Sequence, residues 1–348
     1  MYCEGCEGFV TEKDLVNGKC AEHNKEPKHL SEEAYFFKLS KYKDKIEQFA
    51  KTYIVPESRK KEILTRLKEE GLKDLCVSRT NLDWGIDSPI DKNFKIYVWF
   101  DALINYLTGA NGNWPADVHV IGKGINWFHS VIWPAILISA GYKLPKKLLV
   151  HGYLNLEGQK ISKSLGNVIN PLELLGRYDS DSVRYSLLRC SVFDDSDYSE
   201  EILLERHNNE LANKLGNLVS RVSALAEKDG IVKTENKLLK KLKIKEIEDF
   251  FDEFKVDKTL AEIFAFIDLC NEYIQDKKPW ETGNKKVLYE LSDSIKAIAI
   301  LLWAFIPETS EKIAKQFGFK VGENSFKEIK IPLKISKIKK GEILFEKY

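Results

Sequence analysis

Long apolar runs are missing from this 348-residue chain. The longest near the C-terminus, Ala297 to Ile306, is too short to span a bilayer and stops at Pro307. No secretory leader is expected, since charged residues begin at Glu4. A cytoplasmic protein with no membrane partner is the expectation. An excess of charge of one sign is also missing: 54 Lys and Arg face 53 Asp and Glu, a net charge of +1. That excludes a global basic field for nucleic acid, so any RNA contact must come from a local surface. Cysteine is sparse, with six residues, which excludes a disulfide scaffold in a chain this long. Internal repeats and low-complexity linkers are absent. The length suits about two domains with ample material for a core.

Three of the cysteines crowd into the first twenty residues. Cys3-x-x-Cys6 is followed, after a turn-rich stretch with Asn17-Gly18, by Cys20-x-x-His23. Two tight ligand pairs joined by a short loop suit tetrahedral zinc, with Cys3, Cys6, Cys20 and His23 as a closed donor set. A closed set leaves no position for water, so the metal is expected to be structural. His29 is a spare candidate with awkward spacing from Cys20. Cys76, Cys190 and Cys270 stand apart in sequence and read as small core residues.

Lys160-Ile161-Ser162-Lys163-Ser164 carries two ammonium groups between Gly158 and Gly166, backbone hinges on either side. Lysine, a compact charge on a flexible stem, suits phosphates that move during a reaction. The surrounding pattern strengthens that reading. Helices are predicted from about Glu32 to Thr52 and from Pro56 to Glu70, the second with Pro at its first turn and Gly71 as cap. Ile96–Phe100, Val118–Gly122 and Lys147–His151 read as buried strands, with a helix from about Trp127 to Ala140 between the last two. Strand, helix, strand implies a parallel α/β unit, whose ligands sit at the carboxyl ends of the strands. From about Glu200 onward the pattern becomes long amphipathic helices, with Leu211, Leu215, Leu218 and Val219 in one stripe. Lys327 to Tyr348 reads as a short hairpin, turning at Lys340-Gly341, or as a packed tail.

On these motifs the chain resembles the methionyl-tRNA synthetases, class I aminoacyl-tRNA synthetases, over nearly its whole length. The cysteine–histidine pairs resemble the single-knuckle insertion of some bacterial members. Tyr35-Phe36-Phe37-Lys38-Leu39 follows as in the family, and Tyr97-Val98-Trp99-Phe100-Asp101-Ala102 resembles the segment at the amino-acid pocket. Lys160-Ile161-Ser162-Lys163-Ser164 stands where the family writes Lys-Met-Ser-Lys-Ser, an apolar-for-apolar change at Ile161. The resemblance implies an α/β plus all-α fold: the C-terminal half of a Rossmann-like catalytic domain with a zinc knuckle, then a helical anticodon-binding bundle. Its boundaries would be 1–30 for the knuckle, 31–156 for the catalytic half, 157–200 for the lysine loop and stem-contact segment, and 201–348 for the bundle.

The resemblance also implies a chemistry. The carboxylate of L-methionine attacks the α-phosphate of ATP, pyrophosphate leaves, and the acyl group passes to tRNA(Met). Positioning and charge stabilisation supply most of the rate in such a reaction. Lys163 and then Lys160 are the expected catalytic and ATP-binding residues, with Gly122 also at the nucleotide and Mg²⁺ accompanying ATP. By position the methionine pocket would be Trp99, Ala102, Tyr106, His129 and Trp133; a thioether favours polarizable aromatic surface. Asn217 and Arg221, four apart on one helix face, and Trp280 match anticodon-binding positions, and Asp181–Asp197 resembles the stem-contact segment.

Three departures accompany the resemblance. Leu103 stands where the family often has proline. Gly122-Lys123-Gly124 replaces the usual Gly-Lys-Asp, so a carboxylate suited to the ATP ribose is lacking there. No His-x-Gly-His type motif precedes Cys3, and a second polypeptide carrying that N-terminal catalytic half is expected, without which the chain would be inactive. The alternatives are another class I ligase and a non-catalytic tRNA-binding fragment. The short insertion speaks against the large editing domains of the valine, isoleucine and leucine enzymes, and the retained lysines and aromatics speak against a non-catalytic fragment.

Overall fold

The structure is a computed structural model that describes residues 1–3, 8–10, 14–21, 24–28, 33–80, 82–156, 158–161, 168–322, 325–334 and 338–348, with 8, 9, 159 and 160 described in backbone course alone. The chain divides into two compact units, Met1–Leu149 and Val150–Tyr348.

In the first unit, two small hairpins lead: β1 (Tyr2–Cys3) pairs with β2 (Gly8–Phe9), and β3 (Leu15–Val16) with β4 (Lys19–Cys20), both antiparallel. The strand β5 (Phe36–Phe37) follows, then α1 (Lys43–Tyr53), β6 (Ile54–Val55) and α2 (Glu57–Glu69). Ile46, Ala50 and Tyr53 form the buried stripe of α1, and Ile63 and Leu67 that of α2, each at helical spacing. The helix predicted from Glu32 therefore starts later. Phe36 and Phe37 pair with β7 (Leu75–Cys76), and the Tyr35 amide donates to Ser78 Oγ at 2.8 Å, so the backbone here is committed to a sheet.

A second correction concerns Ile96–Phe100. The strand β9 (Lys95–Ile96), paired with β8 (Ser78–Arg79), stops after two residues. The Tyr97 carbonyl then accepts from the amides of Phe100 and Asp101, and α3 (Val98–Ala102) begins, followed by α4 (Asn105–Gly109). Val, Trp and Phe favour strands, and tertiary context overrides that preference here.

The strands expected at Val118–Gly122 and Lys147–His151 are found. Strand β10 (Val118–Gly122) leads through a π-helical turn (Phe128–Ile132) into α5 (Trp133–Ala140), closed by Gly141 at φ 76°. Strand β11 (Lys147–His151) lies between β10 and β6 and is parallel to β6, with Leu148 opposite Ile54. The first residues of α5, Trp133 to Leu137, are all buried, as expected of a helix that is apolar all round.

The second unit opens on β12 (Leu154–Leu156), antiparallel to β13 (Gln159–Lys160) and parallel to β14 (Ser196–Tyr198). A Cβ at Gly152 would lie 2.1 Å from the Asp194 carbonyl oxygen, so glycine permits this backbone approach. Asn170, Asp179 and Ser199 cap α6 (Pro171–Arg177), α7 (Ser180–Leu188) and α8 (Glu200–Arg206) with side-chain oxygens. A π-helical stretch (His207–Gly216) continues into α9 (Asn217–Asp229), and the bundle is completed by α10 (Ile244–Asp252), α11 (Val256–Lys277), α12 (Pro279–Thr282), α13 (Lys285–Leu302) and α14 (Pro307–Phe317).

Leu215, Val222, Ile263, Ile267, Leu291 and Ile298 share the bundle core. Within α13, Asp293 accepts from the Leu333 amide at 2.7 Å and from Asn236 Nδ2 at 2.9 Å, while Lys296 donates to the carbonyls of Glu328 and Ile331. The C-terminal segment is a packed tail, with no strand among its described residues: Ile338 and Phe345 join the core, and His207 Nε2 donates to the Glu346 carbonyl at 2.7 Å.

Candidate functional site

The first unit gathers aromatic side chains from consecutive elements. Trp99 and Ala102 lie three apart on α3, Tyr106 on α4, His119 on β10, Phe128 and His129 in the π-helical turn, and Trp133 at the start of α5. The Tyr106 ring centroid is 4.4 Å from His119, 5.6 Å from His129 and 5.9 Å from Trp133. Trp99 stacks on Phe128, the residue before His129, at 4.3 Å and 19°. Ala102 is exposed. Burial is graded: His119, His129 and Trp133 are buried, while Trp99 and Tyr106 are half-buried.

Hydrogen-bond bookkeeping fixes the protons. His129 Nδ1 lies 3.0 Å from the Ile125 carbonyl, which can only accept, so Nδ1 carries the hydrogen. The neutral ring's Nε2 then accepts from the Tyr106 hydroxyl at 2.8 Å. Burial pushes His129 below the usual imidazole range and Tyr106 above the usual phenol range. Burial, and then the neighbouring His129, push His119 down to about 4. The cage is therefore uncharged at neutral pH, a surface that favours an apolar, polarizable side chain over a charged one. Trp133 Nε1 and His119 Nε2 have no hydrogen-bond partner among the described residues.

Gly122 ends β10, where a short 3₁₀ turn, Lys123–Ile125, begins. This carboxyl end of a strand is the usual ligand position of an α/β sheet. Just beyond, Asn126 is buried and its Oδ1 accepts from Ser130 Oγ at 2.6 Å. Lys160 closes β13, and its side chain and the whole of Lys163 lie outside the described residues. The amide of Gly158, at the turn before Lys160, donates to Asp197 Oδ1 at 2.9 Å. In turn the 181–197 segment is bolted to the bundle: Asp181 accepts from the Thr309 amide at 2.6 Å, and Arg184 Nε donates to the Phe305 carbonyl at 2.9 Å. Within the second unit a continuous set of contacts thus joins the base of the lysine loop to the helices.

Cys3 and Cys20 are buried together with Val10 in one small cluster. Cys6 and His23 lie outside the described residues, and among the described residues no group of three metal-ligating side chains occurs. Arg79 stacks over Tyr97 at 4.3 Å and over Tyr2 at 5.7 Å, tying the segment beside Cys3 to the body of the unit.

In the second unit Arg221 lies over the Trp280 ring at 5.2 Å and donates to Gln275 Oε1 at 3.2 Å. Asn217, one turn before Arg221, is exposed and donates to the Asn213 carbonyl at 2.9 Å. Trp280 is 39% exposed, a large share for tryptophan. The three predicted residues thus come from the start of α9 and from α12, and two of them touch.

His119 and Phe128 are the neighbours that sequence reasoning missed. The alternation in Val118-His119-Val120-Ile121 carried the signal for His119, since it sets that ring on the same face as Ile121.

An uncharged aromatic cage beside a strand's carboxyl end and, in the other unit, a hairpin leading to the lysine segment and tied to a helical bundle fit the resemblance to class I tRNA synthetases. The profile described as tRNA synthetases class I (M) matches residues 1–223, and that described as the anticodon-binding domain of tRNA ligase matches residues 232–346. The chain belongs to the methionyl branch, the methionyl-tRNA synthetase family. It is 40% identical to a methionine–tRNA ligase of Caldanaerobacter subterraneus, over 99% of this chain and 59% of that protein. It is 36% identical to one of Nostoc sp., over 93% and 68%. The structure of Mycobacterium tuberculosis methionyl-tRNA synthetase in complex with methionyl-adenylate superposes with a TM-score of 0.90 at 32% identity, covering 99% of this chain and 75% of that one. The chain therefore spans about three fifths of the length of the first of these relatives.

Proposed function

We propose that this chain is the part of a methionine–tRNA ligase that binds the methionine side chain, stabilises the transferring phosphates and reads the anticodon. The observation that carries the reading is the uncharged cage of Tyr106, His129 and Trp133, with Trp99 stacked on Phe128, the residue before His129. Here an unbranched thioether gains polarizable contact, and a charged amino acid loses its hydration without compensation. Lys163 and Lys160 neutralise charge on the α-phosphate and pyrophosphate of Mg²⁺–ATP, and the backbone at Gly122 faces the nucleotide. No protein nucleophile is needed, since the substrate carboxylate attacks. Asn217, Arg221 and Trp280 hold splayed anticodon bases by hydrogen bonding and stacking.

Cys3, Cys6, Cys20 and His23 would hold a structural zinc; the joint burial of Cys3 and Cys20 fits a donor pair shielded from water. Its contribution is to stability alone. We place the site of action in the cytoplasm; among the described residues no helix is long and apolar enough to cross a membrane. The test is ATP–pyrophosphate exchange by the chain alone and with the amino-terminal portion of a relative. Methionine-dependent exchange only in the mixture supports the reading. Exchange driven by another amino acid, or none in the mixture, removes the methionine assignment.

A further inference from the structure

One buried imidazole in the cage has no role in the reading above. Alternation along β10 turns His119 inward and leaves Val120 62% exposed on the opposite face. His119 is 5% exposed. Its ring meets Tyr106 at 4.4 Å and 63°, Trp114 at 5.9 Å and His129 at 6.3 Å. Its Nε2 has no hydrogen-bond partner among the described residues. Burying such a nitrogen is costly, and phenylalanine would avoid the cost. Local rules are broken in this way where function requires it.

We propose that His119 is a positioning residue of the amino-acid pocket, acting through Tyr106. Tyr106 sits on a five-residue helix without a side-chain cap, so its helix alone fixes the ring weakly. His129 holds the hydroxyl at 2.8 Å, and the edge of His119 supports the flank of the ring. Together they set the tilt of the wall against which the thioether lies. The imidazole is uncharged at neutral pH, so it supports the ring without placing a cation beside His129. This inference rests on the methionine reading of the same cage.

A double-mutant cycle tests it in methionine-dependent pyrophosphate exchange, with the amino-terminal portion present. His119→Phe raises the KM for methionine about tenfold, leaving the KM for ATP unchanged and the Tm no lower than that of the parent. In a Tyr106→Leu background, which removes the ring that His119 supports, the same substitution changes the methionine KM by less than about twofold, since contacting residues are non-additive. Should the phenylalanine variant fail to fold, His119→Gln is read by the same split. An unchanged methionine KM, additive effects in the cycle, or an equal rise in the KM for ATP overturns the role of His119 alone. No methionine-dependent exchange by the unsubstituted protein overturns the methionine reading, and this inference with it.

Discussion

Replacing Trp280 with alanine separates RNA reading from amino-acid activation. The indole is 39% exposed on α12 and carries Arg221 over its ring at 5.2 Å. A base stacked on such a ring contributes about 1–3 kcal/mol. Losing the support for the Arg221 guanidinium adds about 0.5–1 kcal/mol at an exposed site. The lower bound is about tenfold in kcat/KM for tRNA and the upper several hundredfold; about 30-fold is the central expectation, because Arg221 keeps its bond to Gln275. Aminoacylation at subsaturating tRNA(Met) is the assay, run beside methionine-dependent pyrophosphate exchange. The expected result is a loss in aminoacylation with exchange within twofold of the parent, and partial recovery with Trp280→Phe. A matching loss in exchange, or aminoacylation retained within about twofold, refutes the stacking role.

Further outcomes follow from the same geometry. His119 falls from 6.5 to about 4 on folding, so the unfolded chain takes up its proton first. Its stabilisation is complete above about pH 6.5 and is lost as pH falls toward 4, up to about 3 kcal/mol. Denaturant unfolding at about pH 7 and pH 4.5 measures that loss, and His119→Phe should flatten it; an unchanged slope contradicts the shift. Asp293→Ala leaves the buried Lys296 without its carboxylate and the Leu333 amide without its acceptor, a cost of about 3–5 kcal/mol in a denaturant titration. A loss under about 1 kcal/mol contradicts the network. Atomic absorption should find about one zinc per chain, abolished by Cys20→Ser; a metal-free protein prepared without chelator contradicts the zinc assignment.

Legibility followed the physics of each segment. The strands Val118–Gly122 and Lys147–His151 were readable because short apolar runs bounded by glycine, proline or charge have few alternatives. The helix after Pro56 was readable from its ends. Val98–Ala102 was not, because strand-favouring side chains there end a sheet and begin a helix, a choice made by distant partners. Phe36 and Phe37 were absorbed into a helix for the same reason: their strand partner lies at Leu75–Cys76. At the site, the four-residue spacing of His129 and Trp133 was visible, while their meeting with Tyr106 depends on a π-helical turn that spacing does not announce. The tautomer of His129 needed coordinates, since the Ile125 carbonyl decides it.

The central claim is that an uncharged aromatic cage receives the thioether of methionine. A crystal structure of the chain with its amino-terminal portion and L-methionine tests it most directly. The side chain should lie between Tyr106 and Trp133, with Trp99 at the entrance and the Tyr106 hydroxyl still directed at His129 Nε2. Methionine bound elsewhere, or a cage filled by its own rings with no space for a side chain, would contradict the account.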